Sequence, residues 1–353
     1  MYRADQVGSF LRPQELKDSP DNVDLQDKCI LDALRRQKDL GFKIFSDGEF
    51  RRRGFMHDFY DSVEGLDMDG SVARSWKGGE GTKQLKGIVV DKIRQTKRLS
   101  RHEADFLRTH SPGDFKITLP TANQFPAIAY KAGLSDRAYQ TRSDFLWDVV
   151  PIIKSEIEAL VNEGVRYIQI DAPRYSYYVD PKWRQYILDE MGLDPEQALD
   201  EAIRADNACL KDAKREGVIF AIHLCRGNNN SQWYAEGGYD PIAEKLFNEL
   251  NVDGFLLEYE SERAGGFEPL RFLPRTKFVV LGLVSSKLAQ LESEQDIVRR
   301  IQEASRFAPL ENLSLSPQCG FASTIVGNRL TEDEQWRKMG LVVDVARKVW
   351  GHA

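Results

Sequence analysis

The chain has 353 residues, 41% of them hydrophobic and 29% charged, with a formal net charge of −6. That composition is ordinary for a globular protein, and its acidic balance gives no electrostatic reason to expect a nucleic-acid partner. No apolar run approaches the ~20 residues that cross a bilayer, the N-terminal residues contain no signal-peptide apolar region, and four cysteines in a chain this long are no disulfide framework, so a cytoplasmic protein without a membrane partner is expected, its thiolates free for metal.

Taken in order, short apolar runs recur at residues 6–10, 42–46, 115–119, 167–171, 218–225, 254–258, 278–284 and 313–316. Apolar residues at helical spacing separate them over 24–40, 143–162, 195–216, 241–250 and 294–308, and a further helix is expected over 331–350. Alternating strand and helix imply a parallel sheet with right-handed crossovers. Eight such units predict an α/β fold, a single (β/α)8 barrel of the TIM type, and the mostly apolar strands suit a sheet covered on both faces. Residues 51–111 are too long for a simple crossover. They hold a Gly- and Ser-rich stretch at 70–81, alternation like a strand pair at 84–93 and a helix over 100–109. An insertion after the second strand, at the barrel mouth, is expected there. The whole of 1–353 reads as one domain.

In such a barrel the chemistry sits at the C-terminal ends of the strands. Gly8 and Ser9 end the first run, Asp47-Gly48-Glu49 the second, and Asp171 the fourth. His223 and Cys225 end the fifth, Glu258 the sixth, Ser285-Ser286-Lys287 the seventh and Cys319 the eighth. Residues i and i+2 of a strand share a face, so His223 and Cys225 project side by side. With Glu258 and Cys319 they make a nitrogen, sulfur and oxygen set that suits zinc. The plainer reading of His-x-Cys is a buried core pair, since cysteine often serves as a small hydrophobe. Cys29 and Cys209, within helical patterns, fit that role. Glu260 shares the parity of Glu258 and rivals it as a ligand; Glu258 closes the apolar run and is preferred. Glu49 and Asp171 either cap helices or hold a substrate ammonium group. Lys287 reads as solvated in the plain case. Arg51-Arg52-Arg53 reads as a solvated charge run, and otherwise as an attractor of an anionic substrate tail.

Val7-Gly8-Ser9, Asp47-Gly48-Glu49, Gln169-Ile170-Asp171, His223-Leu224-Cys225, Glu258 and Pro317-Gln318-Cys319-Gly320 together resemble the C-terminal catalytic barrel of cobalamin-independent methionine synthase. The resemblance runs from about residue 4 to 350 and is nearest to the shorter, stand-alone members. It implies a zinc-dependent S-methyltransferase in which His223, Cys225, Glu258 and Cys319 hold the metal. It further implies that Gly8 and Ser9 meet the carboxylate of homocysteine, and Glu49 and Asp171 its ammonium. The partners implied are a small-molecule thiol and a methyl donor, methyltetrahydrofolate or another; a homo-oligomer is compatible with this. The chain departs from the family in three respects. No additional N-terminal barrel is expected, residues 282–287 lack the family's catalytic histidine, and residues 119–125 lack its folate-contacting tryptophan. The donor half is therefore expected to differ. Glu258 is expected to be the labile ligand, and Lys287 or a residue of 51–111 to stand in as the acid. Competing readings are a different thiol alkyltransferase, like the epoxyalkane–coenzyme M transferases or the corrinoid-dependent enzymes, and a non-catalytic zinc-binding protein.

Overall fold

The structure, a computed structural model, describes residues 1–78 and 82–353. Gly79, Glu80 and Gly81, the end of the Gly- and Ser-rich stretch, lie outside the described residues, as do the side chains of 82–84. Branched and aromatic runs without polar alternation form strands buried on both faces. These are β1 Ile44–Phe45, then, after the ribbon β2 Val63–Ser75 and β3 Thr82–Gln95, the strands β4 Asp114–Pro120, β5 Tyr167–Asp171, β6 Ile219–Leu224, β7 Gly254–Glu258, β8 Phe278–Val284 and β9 Leu313–Pro317. Seven of them form one parallel sheet in the order β1-β4-β5-β6-β7-β8-β9.

The first expected strand is not where the apolar run placed it. Residues 6–10 form no strand; Ala4 instead bridges Leu315 of β9 in parallel. Gly8 takes φ +143°, which interrupts the extended run. Its carbonyl then accepts from the Ser46 hydroxyl at 2.8 Å, and the Phe10 amide donates to Gly48 O at 3.0 Å. The N-terminal segment thus touches both the last strand and the turn after β1. The second run shrinks to two residues for the same reason, since its end serves that turn.

Helices Val23–Leu40, Arg142–Asn162, Pro195–Leu210, Asp240–Glu249, Glu294–Ala304 and Glu332–Trp350 follow the apolar periodicity. Two stop short of their expected ends. Pro195–Leu210 halts because Lys211 is extended and Asp212 left-handed, and Glu294–Ala304 gives way to turns. Short helices at Gln14–Asp18, His57–Tyr60 and Pro181–Asp189 had no clear periodic signal. Among the described residues no helix is long and apolar enough to cross a membrane.

β2 and β3 form a separate antiparallel ribbon, followed by the helix Arg101–His110. The ribbon takes in 70–75 of the Gly- and Ser-rich stretch, and its register shifts beside Leu66 and again between Asp67 and Ser71. Such irregularities bend and twist a ribbon. Its far end is tied down by an antiparallel bridge between Lys77 and Trp233, in the loop after β6.

Most apolar residues pack in one cluster between sheet and helices. A second, small cluster holds Val7, Ile44, Tyr167, Ala221, Leu256 and Val280. Strand parity carries Ala221 to His223, Tyr167 to Gln169 and Asp171, and Leu256 to Glu258, all on that same face.

Candidate thiol and metal site

Register sets the level of the site. Asp171 pairs with His223 across β5 and β6, while Leu224 pairs with Leu257, one residue before Glu258. His223, Cys225 and Cys319 are buried, and their ligand atoms lie within 4.8 Å of one another. Both ring nitrogens of His223 are buried and have no hydrogen-bond partner among the described residues. An imidazole without a partner is costly unless something absent completes it. The thiols are unlike each other. Contact with Cys225 first, and then His223, holds Cys319 well below the usual thiol range, while contact with Cys319 and burial push Cys225 well up. One readily ionised thiol, a second beside it and an open imidazole fit zinc by donor chemistry.

Glu258 stands outside this triangle. Its fully buried carboxylate accepts from the Arg226 amide at 2.8 Å and from the Arg263 guanidinium at 2.8 and 3.1 Å. Glu260 pairs with the same guanidinium and is held at about 7, chiefly by burial and then by Glu258. Lys287 is buried, but its ammonium donates to Gly227 O at 2.8 Å and to Asn228 Oδ1 at 3.0 Å. That places it behind the loop that follows Cys225, outside the lining of the cavity that His223, Cys225 and Cys319 share.

That cavity is walled by Ser9, Glu49 and Asp171 together with His223, Cys225 and Cys319. Strand ends far apart in sequence therefore converge. Gly8 lets the Glu49 carboxylate approach the backbone closely, since a Cβ there would lie 2.6 Å from Glu49 Oε1. Glu49 itself sits at φ +57°, directly after Gly48 at +74°. Its carboxylate accepts from Thr118 Oγ1 at 2.9 Å. Gln169 Nε2 donates to Asp171 Oδ1 at 2.7 Å and fixes that carboxylate. Burial raises Glu49 to about 7; Arg52 opposes the shift, and Asp171 and Asp47 add to it. Asp171 is also raised, again chiefly by burial. Two buried carboxylates held reluctant to ionise are suited to a cationic guest. Ser9 Oγ accepts from the Ala322 amide at 3.3 Å.

The reading of Arg52 as solvated is corrected. It is 3% exposed, pairs with Glu103 and Asp58, and donates to Thr118 Oγ1 at 2.8 Å, the hydroxyl that holds Glu49. Arg53 is the solvated member, paired with Asp21, and Arg51 is half-buried against Asp27 and Phe106. Arg74 and Leu85, which the ribbon brings to the cavity wall, and Trp76 and Tyr234 were not expected there from sequence. Arg74 lies near the end of β2 and Trp76 just beyond it. Cys29 and Cys209 are buried on helices, apart from the other two.

A family model described as "Cobalamin-independent synthase, Catalytic domain" matches residues 11–348. The uncharacterized protein YxjG of Bacillus subtilis (strain 168) is 36% identical over 364 residues, covering 99% of this chain and 95% of its own. A methionine synthase of Saccharolobus solfataricus is 25% identical over 369 residues, covering 96% and 97%. Among solved structures, a Listeria monocytogenes protein provisionally named a vitamin-B12-independent methionine synthase is 28% identical, with a TM-score of 0.72 over 99% of this chain and 98% of its own.

Proposed function

The chain belongs to the cobalamin-independent synthase catalytic-domain family, and on that premise we propose that it is a zinc-dependent methyltransferase acting on the thiol of homocysteine. One observation carries the reading: the three ligand atoms of His223, Cys225 and Cys319, within 4.8 Å of one another, face a cavity also walled by Ser9, Glu49 and Asp171. A thiol activator and an ammonium clamp then share one chamber. The curled parallel sheet and the N-terminal segment between β9 and β1 support a closed eight-stranded barrel, with 51–111 as an insertion at its mouth and 1–353 as one catalytic domain.

His223, Cys225 and Cys319 would hold the metal, and Glu258 would be the fourth ligand in the absence of a substrate thiol. Zinc bound there lowers the proton affinity of a substrate thiol, so that the nucleophilic thiolate exists at neutral pH. Arg226 and Arg263 give the Glu258 carboxylate a second resting place, as its release would require. Glu49 and Asp171 take the ammonium, which relieves their mutual repulsion, and Ser9 with the Gly8 backbone takes the carboxylate. The sulfur–carbon bond forms as the donor's bond to its methyl carbon breaks. The electron pair leaves with the donor, and the thiol proton goes to solvent or to the departing base. No second histidine lines the cavity among the described residues, and Lys287 faces the loop behind Cys225. A donor with a good leaving group therefore needs least from this protein. Lys287 acts by holding Gly227 and Asn228 in place.

Metal analysis of purified variants tests the assignment. Cys225→Ser and Cys319→Ser are expected to lose zinc and methionine formation from homocysteine while remaining folded. Cys29→Ala and Cys209→Ala are expected to keep a full metal complement. Zinc retained in both serine variants, or lost from either alanine variant, contradicts the ligand set.

A further inference from the structure

Lys116 carries a charge into the interior of the sheet. Its side chain is 0% exposed, and that of its ion-pair partner Asp5 is 2% exposed. The ammonium donates to Asp5 Oδ1 at 2.8 Å, to Gln169 Oε1 at 2.8 Å and to the Gln6 carbonyl. Asp5 also accepts from the Gln6 amide at 2.7 Å and the Tyr167 hydroxyl at 2.8 Å. A buried ion pair is often no more stabilising than apolar residues of the same volume, so stability alone does not account for it. What lies above it does. Lys116 and Thr118 stand i and i+2 on β4 and share a face. In the register of β4 with β5, Thr118 is level with Gln169 and Pro120 with Asp171. Gln169 therefore spans from the ion pair to the carboxylate at the strand end. Its Oε1 faces an ammonium, which can only donate. Its Nε2 is thereby turned the other way, donating to Asp171 Oδ1 at 2.7 Å and to Val7 O at 2.6 Å.

We propose that Lys116 is a positioning residue for the substrate ammonium. It fixes which end of the Gln169 amide points at Asp171, and so makes the site selective for thiols that carry an amino group. The inference rests on the reading of Glu49 and Asp171 as the ammonium clamp. Flipped, Gln169 would set its NH2 against an ammonium and its carbonyl oxygen against a carboxylate, a clash at both ends. Lys116 removes that alternative from one layer beneath the site. Among the described residues, Gln169 is the side chain that hydrogen-bonds the Asp171 carboxylate. With Oδ1 so held, Oδ2 is left for the guest. The Glu49 half of the clamp is held separately, by Thr118. The segment around Val7 has anchors besides Gln169, from the Asp5 amide to Leu315 O at 2.9 Å and from the Ser46 hydroxyl to Gly8 O at 2.8 Å. Loss of Lys116 therefore falls on the Asp171 half of the clamp and spares the carboxylate seat at Ser9.

The test is equilibrium binding to the full-length, zinc-loaded protein of two thiols: homocysteine, and 4-mercaptobutyrate, the same thiol acid without the amino group. Wild type is expected to prefer homocysteine. Lys116→Met is combined with Asp5→Asn, so that no buried carboxylate loses its partner. That variant is expected to bind homocysteine about tenfold more weakly, the scale of one hydrogen bond to a charged group. Its affinity for 4-mercaptobutyrate and its zinc content are expected to stay as in wild type. Gln169→Leu is expected to show the same selective loss, and adding it to the Lys116 variant to cost nothing further, because both act through one contact. Should the lysine variant not fold, Gln169→Leu alone decides: a selective loss supports the proposal and an unchanged preference overturns it. Equal weakening of both thiols overturns it as well, since a side chain that merely held the sheet together would do that. Unchanged homocysteine affinity in the Lys116 variant, or losses that add, also overturn it. A wild type that binds both thiols equally is a separate failure: it removes the ammonium clamp itself, and the inference with it.

Discussion

The burial that suits Glu49 to an ammonium also makes its carboxyl harder to ionise. Its carboxyl sits at about 7 in the folded chain against an ordinary 4.5. A folded value above the unfolded one contributes stability that is complete below about 4.5 and is lost as pH rises to about 7. Glu49→Gln, which cannot ionise, is therefore expected to match wild type at the acid end and to melt at a higher temperature above neutrality, while binding homocysteine more weakly. Melting curves across that window check this; a variant less stable than wild type at pH 8 contradicts it. Single residues were also where the sequence was least legible. Arg52 sits in a row of three arginines that looks solvated, and only the fold reveals that its neighbours in space are Glu103, Asp58 and Thr118. Arg74 had no distinguishing context until the ribbon placed it among aromatic rings.

Elements were more legible, for a physical reason. A strand covered on both faces must be apolar throughout, so β5, β7 and β8 end where their apolar runs end. For β5 the polar residue that ends the run, Asp171, lines the cavity. The first run failed this logic because Gly8 turns the chain and the pairing falls upstream, at Ala4. The ribbon was legible by alternation over 84–93, within β3, but not over β2, where the register shifts. Helix starts rest on local chemistry. Thr141 and Asp144 form a reciprocal capping box that satisfies two amides at the head of Arg142–Asn162. Thr141→Ala is expected to cost about 1 kcal/mol of stability and to leave zinc content and turnover unchanged. Denaturant unfolding measures the first, metal analysis and assay the others. A loss of metal would show that this helix bears on the site in a way its surface position does not explain.

At the scale of the molecule, the sheet brings residues from distant parts of the chain to one face, and the ribbon closes over them, pinned to the loop after β6 by the Lys77–Trp233 bridge. Of the four residues expected as ligands at strand ends, His223, Cys225 and Cys319 come together, while Glu258 is held by Arg226 and Arg263. The rest of the cavity was not legible, because its wall comes from an element outside the strand–helix alternation. The central claim is that His223, Cys225 and Cys319 hold zinc so that a substrate thiol can join them. Zinc-edge X-ray absorption of the purified protein, recorded before and after homocysteine is added, tests this most directly. The account expects nitrogen, oxygen and cysteine sulfur around the metal at first, then one more sulfur at a zinc–thiolate distance of about 2.3 Å with loss of an oxygen. A spectrum that homocysteine leaves unchanged, or a protein that takes up no zinc, would contradict it.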